Sequence, residues 1–204
     1  ADAAGESERQ APPARPAPEA VPVTDPMSPS TAMRTLAEVF PEDGIVVLES
    51  PSATLALRNQ LRLSAPGSYY FSSGGGLGFG MPAAVGVALA QPSRPVVCVI
   101  GEGSAQYAIQ SLWTAAAYNV PVTFLVLRND EYAILKWFGM LEDIVGAPGL
   151  DLPALDCAAV ASGYGVHSQV AGSVEELGEK LSKALASNKP ELVEVRVTPG
   201  MALA

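Results

Sequence analysis

From Ser30 onward, hydrophobic and polar positions alternate between two rhythms. Met33, Leu36, Ala37 and Phe40 recur at helical spacing behind Ser30, which is placed to cap the helix, and Pro41 and Gly44 stop it. A strand is expected at Ile45 to Leu48, a helix at Ser52 to Leu61, and a loop through Pro66 to Gly80. A helix follows from Pro82 to Ala90, with proline suited to its first turn. The apolar runs Val96 to Ile100 and Val122 to Leu127 predict strands, with a helix at Ser104 to Tyr118 between them and a helical stretch at Tyr132 to Leu141 behind. After a mobile loop at Gly146 to Pro153 come helix Leu155 to Ser162, strand Tyr164 to Val170, helix Val174 to Ala186 and strand Leu192 to Val197. No internal repeat interrupts the series. Strands that are apolar throughout and alternate with helices predict an α/β three-layer sandwich, a mostly parallel sheet with helices on both faces.

Composition narrows the classes of function. Only 16% of residues are charged and the net charge is −9, so no basic stripe is available for nucleic acid or an anionic membrane surface. The longest apolar runs, Pro95 to Gly101 and Val120 to Leu127, are strand-sized and well short of the ~20 residues that cross a bilayer. Cys98 and Cys157 sit far apart in apolar surroundings, as reduced core thiols do, and the first residues lack a signal-peptide pattern, which together predict a cytoplasmic protein. Residues 1–29 hold seven of the 18 prolines and few large apolar side chains. They are expected to form a disordered, proline-rich linker from a missing upstream portion to a domain over residues 30–204.

Parallel sheets bind ligands at the carboxyl ends of their strands, which directs attention to Glu49 to Ser52, Gly101 to Ser104 and Arg128 to Tyr132. In Gly101-Glu102-Gly103-Ser104 two glycines flank a carboxylate just ahead of a helix. Backbone can approach a ligand closely there, the helix N-terminus suits phosphate, and the carboxylate suits magnesium. By itself such a motif is more often only a tight turn. If the next strand is a neighbour, Asn129 adds a second oxygen ligand, although Asn-Asp is also an ordinary turn pair.

Gly101-Glu102-Gly103 followed by Arg128-Asn129 resembles the Gly-Asp-Gly to Asn-Asn signature of thiamine-diphosphate enzymes. Ser68-Tyr69-Tyr70-Phe71, Gly75-Gly76-Leu77-Gly78-Phe79, Pro82-Ala83-Ala84, Leu112-Trp113-Thr114-Ala115-Ala116, Trp137-Phe138 and Pro148-Gly149-Leu150-Asp151 extend the likeness. In order and spacing they resemble the benzoylformate decarboxylase family, and the match runs from Ser30 to Val197. The resemblance implies thiamine diphosphate and Mg2+ as cofactors. It implies Glu102, Asn129 and the main-chain oxygen of Glu131 as metal ligands, and Ser52, Gly103, Ser104 and Tyr132 around the diphosphate. Gly75 would lie near the pyrimidine, and Leu77 would be the bulky residue that bends the cofactor into a V. Phe71, Ile134, Leu135 and Phe138 would line a pocket for an aromatic or branched 2-oxo-acid substrate.

The activity implied is non-oxidative loss of CO2 to give an aldehyde, within a homo-oligomer. The ylid-activating glutamate and the histidines would come from a pyrimidine-binding domain outside this stretch, so the isolated chain is expected to be inactive. Four departures stand out: Glu102 for the usual Asp, Arg128 for the first Asn, and Asp130 and Ala133 where the decarboxylases have glycine. Ile134 replaces a smaller alanine and should narrow the pocket. His167, the only histidine, lies in a late strand away from these loops and excludes a His-based triad or zinc cluster. Three other readings stay open: an acetolactate-synthase-like enzyme or oxidase, which bound flavin would favour; a separately encoded half of a two-chain enzyme, which would co-purify with a partner carrying the pyrimidine site; and a degenerate interaction domain without catalysis.

Overall fold

The computed structural model describes residues 20–202. Its centre is a six-stranded sheet of β1 (Ile45–Glu49), β2 (Tyr69–Phe71), β3 (Val96–Gly101), β4 (Val122–Arg128), β5 (His167–Ala171) and β6 (Glu191–Arg196). The order is β2-β1-β3-β4-β6-β5 and every neighbouring pair is parallel. The central strands have no wet face: β1 is buried at all five positions, β3 and β4 at every position but their last. That burial is why they read as continuous apolar runs and not as alternating ones.

Helices cover both faces. α1 (Pro29–Val39), α2 (Thr54–Gln60) and α8 (Val174–Ala186) pack Met33, Leu36, Leu57, Leu177 and Leu181 against Val46, Leu48, Val97, Leu125 and Val193. On the opposite face α3 (Gly80–Ala90), α5 (Ser111–Ala117) and α7 (Cys157–Gly163) set Met81, Val85, Leu112 and Ala161 against Val47, Cys98, Ile100, Phe124 and Leu192. The two remaining helices, α4 (Glu102–Ala105) and α6 (Ala133–Leu141), follow β3 and β4 at the edge where the strands end. The three-layer α/β expectation is met, and the sheet is parallel throughout. None of the helices among the described residues is long and apolar enough to cross a membrane.

Four local readings differ from the sequence expectation. α1 begins at Pro29 and is capped by Ser28, whose hydroxyl accepts from the Thr31 N–H at 3.0 Å, because proline at the first position needs no partner for a missing N–H. Residues 21–28 of the stretch read as linker lie against the domain: Met27 is buried and bridges Val197, and Thr31 and Arg34 donate to the Pro22 and Val21 carbonyls. The linker expectation for residues 1–19 lies outside the described residues. Within the expected 66–80 loop sits β2, three residues long on the sheet's edge. The helix expected at 104–118 breaks into α4 and α5, separated by turns bonded i to i+3, such as Tyr107 N–H to Ser104 O at 3.2 Å and Ala108 N–H to Ala105 O at 3.1 Å. The buried positions Ala105, Ala108, Leu112 and Ala115 keep their helical spacing through the break, so the pattern carried no sign of it.

Candidate cofactor site

The three flagged loops sit side by side because β1, β3 and β4 are consecutive in the sheet, with Glu49 paired to Ile100 and Gly101 to Leu127. Between them is a cleft lined by Ser50, Ser52, Gly103, Ser104, Asn129, Glu131, Tyr132 and Ile134, with Glu102 at its floor. The sheet order places the cleft where the chain changes direction, β1 to β2 on one side and β3 to β4 on the other.

Glu102 is 1% exposed, and its Oε1 accepts the Asn129 N–H at 3.0 Å. Burial pushes its carboxyl above the ordinary value of 4.5, opposed by backbone N–H groups of residues 102, 129, 130 and 131. The extra methylene of glutamate therefore carries the carboxylate across from β3 to the backbone of the β4 loop. Asn129 Oδ1 accepts the Glu131 N–H at 3.3 Å, an Asx turn. Glu131 bridges Asp151 in antiparallel fashion through Tyr132 N–H to Leu150 O at 2.9 Å and Leu152 N–H to Asp130 O at 2.8 Å. In that pattern the Glu131 carbonyl turns away from residues 150–152, to the side of its own N–H and Asn129. The Glu131 side chain is engaged elsewhere, with Lys136 Nζ at 2.5 Å and the Gly200 N–H at 2.7 Å. Lys136 also reaches Asp151 at 2.6 Å, so a cation pins the 150–152 segment over the loop.

Gly103 is required by packing. A Cβ there would stand 2.5 Å from the Tyr132 ring and 2.8 Å from the Leu152 side chain. The hydroxyls of Ser104 and Ser50 both face Gly101. Ser50 is buried and lines the cleft, a residue the sequence reading passed over although the strand end containing it was flagged.

Two of the departures from the signature, Arg128 and Asp130, belong to one network. Arg128 donates to Asp130 Oδ1 at 2.7 Å and to the buried Glu194 at 3.3 Å, and Arg196 reaches the other Asp130 oxygen at 2.8 Å. Glu194 in turn accepts the Cys157 and Ala158 N–H groups at the start of α7. Asp130 has φ 59°, a left-handed conformation native to glycine, and its two arginine partners hold it there. The Arg128 hydrogen bond, aided by charge from both arginines, holds its carboxyl below the ordinary 3.8. Burial and then Glu194 push the Cys157 thiol up to about 12, leaving it an inert core group.

Leu77 is half-buried in the loop between β2 and α3, and Gly75 is exposed with φ 69°, closing a turn onto the Ser72 carbonyl. Ile134 lines the cleft, whereas Leu135 and Phe138 are 47% and 50% exposed on α6. Phe71 lies apart from them in a groove beside β2, stacked near Tyr69 with the Arg58 guanidinium 5.8 Å from its ring centre. His167 is mostly exposed and bonds Glu191 at 2.6 Å, remote from the cleft. Among the described residues no three His, Cys, Asp or Glu side chains converge on a point, so a cation here would depend on one carboxylate, an amide and a carbonyl. That oxygen set suits magnesium, and the neighbouring hydroxyls and backbone N–H groups suit diphosphate oxygens. The donor chemistry fits both groups.

The family model described as "Thiamine pyrophosphate enzyme, C-terminal TPP binding domain" matches residues 52–195. The chain belongs to that family. Benzoylformate decarboxylase of Pseudomonas aeruginosa is 46% identical over 195 residues, 92% of this chain and 37% of that protein. The solved thiamine diphosphate-dependent 4-hydroxybenzoylformate decarboxylase of Rhodococcus jostii superposes with a TM-score of 0.88 at 41% identity, covering 94% of this chain and 37% of that one. An acetolactate synthase large subunit from Haemophilus influenzae is 36% identical over 133 residues, 63% of this chain and 23% of its own length. This C-terminal domain thus spans little more than a third of the two decarboxylases it resembles.

Proposed function

We propose that this domain anchors thiamine diphosphate and magnesium in a 2-oxo-acid decarboxylase of the benzoylformate type. The observation that carries the reading is the convergence of Ser52, Glu102, Gly103, Ser104, Asn129 and Glu131 on one cleft from three different strand ends. Glu102, Asn129 Oδ1 and the Glu131 carbonyl would hold magnesium; the Gly103 and Ser104 N–H groups, the Ser52 hydroxyl and Tyr132 would hold the diphosphate. Leu77 would support the bend between the cofactor's rings, with Gly75 beside the pyrimidine. When bound, the cofactor supplies the carbon nucleophile and electron sink that let a 2-oxo acid lose CO2.

The chain's own part is to fix position and exclude water. Tyr132 and Leu152 close over Gly103, and Ile134 narrows the cleft beside them. The apolar side chains of Ile134, Leu135 and Phe138 suit an aromatic or branched substrate. Activation of the cofactor would require a carboxylic acid supplied by a pyrimidine-binding domain, in the same polypeptide or a second copy of a homo-oligomer working in the cytoplasm. The higher identity and wider coverage of the benzoylformate relative favour decarboxylation over acetolactate synthesis.

The test uses the full-length protein that carries this domain. Titration calorimetry should find magnesium-dependent binding of thiamine diphosphate, and benzoylformate or a branched 2-oxo acid should release CO2. Asn129→Ala should weaken cofactor retention about 10-fold, as loss of one oxygen ligand does. Equal retention by Asn129→Ala would remove the metal assignment.

A further inference from the structure

Glu49, the last residue of β1, is a carboxylate 5% exposed at the mouth of the sheet, and none of the roles above uses it. Its Oε1 accepts the Gly78 N–H at 2.9 Å, and its Oε2 accepts the Gly80 N–H. One carboxylate thus grips two N–H groups of the segment Gly78-Phe79-Gly80, which joins the residue after Leu77 to the first turn of α3. Both glycines serve the grip. Gly78 has φ 95°, open to glycine and strained for other residues, and a Cβ on Gly80 would stand 2.7 Å from the Glu49 Cβ.

Tyr107 lies beside Gly78 and Phe79 packs on the core, but the hydrogen bonds that tie Gly78 and Gly80 to the sheet are those of Glu49. Gly74, Gly75 and Gly76 have open space where a Cβ would be, and Gly75 is tied only to Ser72, within the loop. On its N-terminal side, then, Leu77 is preceded by three exposed glycines with open space beside them. On its C-terminal side it is hydrogen-bonded to the sheet through Glu49 and packed through Phe79. We propose that Glu49 is a positioning residue: by clamping Gly78 and Gly80 it sets the place of Leu77 under the bent cofactor. This rests on the cofactor reading given above and deepens it. Hydrogen bonds from backbone N–H groups to a buried carboxylate are among the stronger single tethers a loop can have.

The test is made on the full-length protein with Glu49→Gln, which keeps the shape but turns an amide N–H toward one of the two donors. Amide hydrogen exchange, read without cofactor, should quicken about 10-fold at residues 77–80, the effect of losing one such bond, and stay unchanged at 101–104 and 128–132. With cofactor and magnesium, the near-ultraviolet circular dichroism of bound thiamine diphosphate should weaken. The kcat should fall about 10-fold while cofactor affinity, held by the diphosphate end, changes little. Gly80→Ala attacks the same clamp from the other side and should give the same exchange pattern, so the proposal stays testable if Glu49→Gln does not fold. Unchanged exchange at 77–80 in a folded variant would overturn the clamp. Faster exchange with unaltered dichroism and kcat would overturn the positioning role alone. An unsubstituted protein that bound no thiamine diphosphate would overturn the functional reading and the positioning role with it.

Discussion

The β3–β4 corner and α6 adjoin each other along the chain, yet they are built in opposite ways. At the corner nearly every polar group is committed: Glu102 to the Asn129 backbone, Asn129 to Glu131, Asp130 to two arginines, and Glu131 to Lys136 and Gly200. Along α6 and the turn after it, Leu135, Phe138, Met140, Leu141, Ile144 and Val145 are between 47% and 95% exposed. A run of exposed apolar groups along one helix is the kind of surface that a further domain or partner covers. On the function proposed above, the domain would be complete as an anchor for charge and incomplete as a wall around a reacting carbon. That division is the one expected if chemistry takes place between this domain and another.

The largest way to break the comparison is to unpick the corner. Arg128→Asn restores the signature residue but leaves Glu194 buried without its cation and frees Asp130 from one partner. We expect a loss of about 3 kcal/mol in chemical denaturation, the scale for breaking a buried ion pair, with partial recovery in the double variant carrying Glu194→Gln. A stable Arg128→Asn protein would mean the corner is not held by this network. Ile134→Ala, at the border of the two regions, should widen the cleft and shift kcat/KM about 10-fold toward bulkier 2-oxo acids. An unaltered substrate ranking removes Ile134 from the pocket.

On α6 itself, Phe138→Ala should change stability by no more than about 0.5 kcal/mol in the same denaturation assay, because half of the ring is already in water. A loss of core size would show the wall to be finished after all. The smallest effect concerns pH. Because Asp130 is held below its ordinary 3.8, its stabilising contribution is complete above that value and is lost as pH falls through the lower folded-state pKa. Carboxyl-resolved NMR titration should find the midpoint below 3.8 and find it raised in Arg128→Asn.

The elements legible in the sequence were those whose burial is uniform or strictly periodic. α8 falls at Val174–Ala186, as its spacing of Leu177 and Leu181 required, and β3 and β4 extend only one residue past the apolar runs that announced them. β2 was hidden because Tyr69 to Phe71 is short, lies on an edge and grows more exposed along its length, so it shows neither alternation nor a buried run. The site followed the same rule. Glu102 and Asn129 could be paired once adjacent parallel strands were assumed, since register then brings their loops together. Glu49 could not be given a partner, because its hydrogen bonds reach 29 and 31 residues ahead into a glycine loop whose path no local pattern specifies. Arg128 read only as a departure from a motif for a similar reason: its counter-charge, Glu194, lies 66 residues away.

The pairing of Met27 with Val197 has a mechanical meaning. Thr198 donates to the Met27 carbonyl at 3.0 Å, and Pro29 and Val197 both border the cleft. The chain enters and leaves its core side by side, at the rim where the cofactor would sit. A pull on the segment before Met27 or after Val197 would meet the Val21, Pro22 and Gly200 hydrogen bonds and then that backbone pair before it reached the sheet. Strain in the flanking chain would thus be felt at the cleft first, with the core acting as the fixed end of the lever.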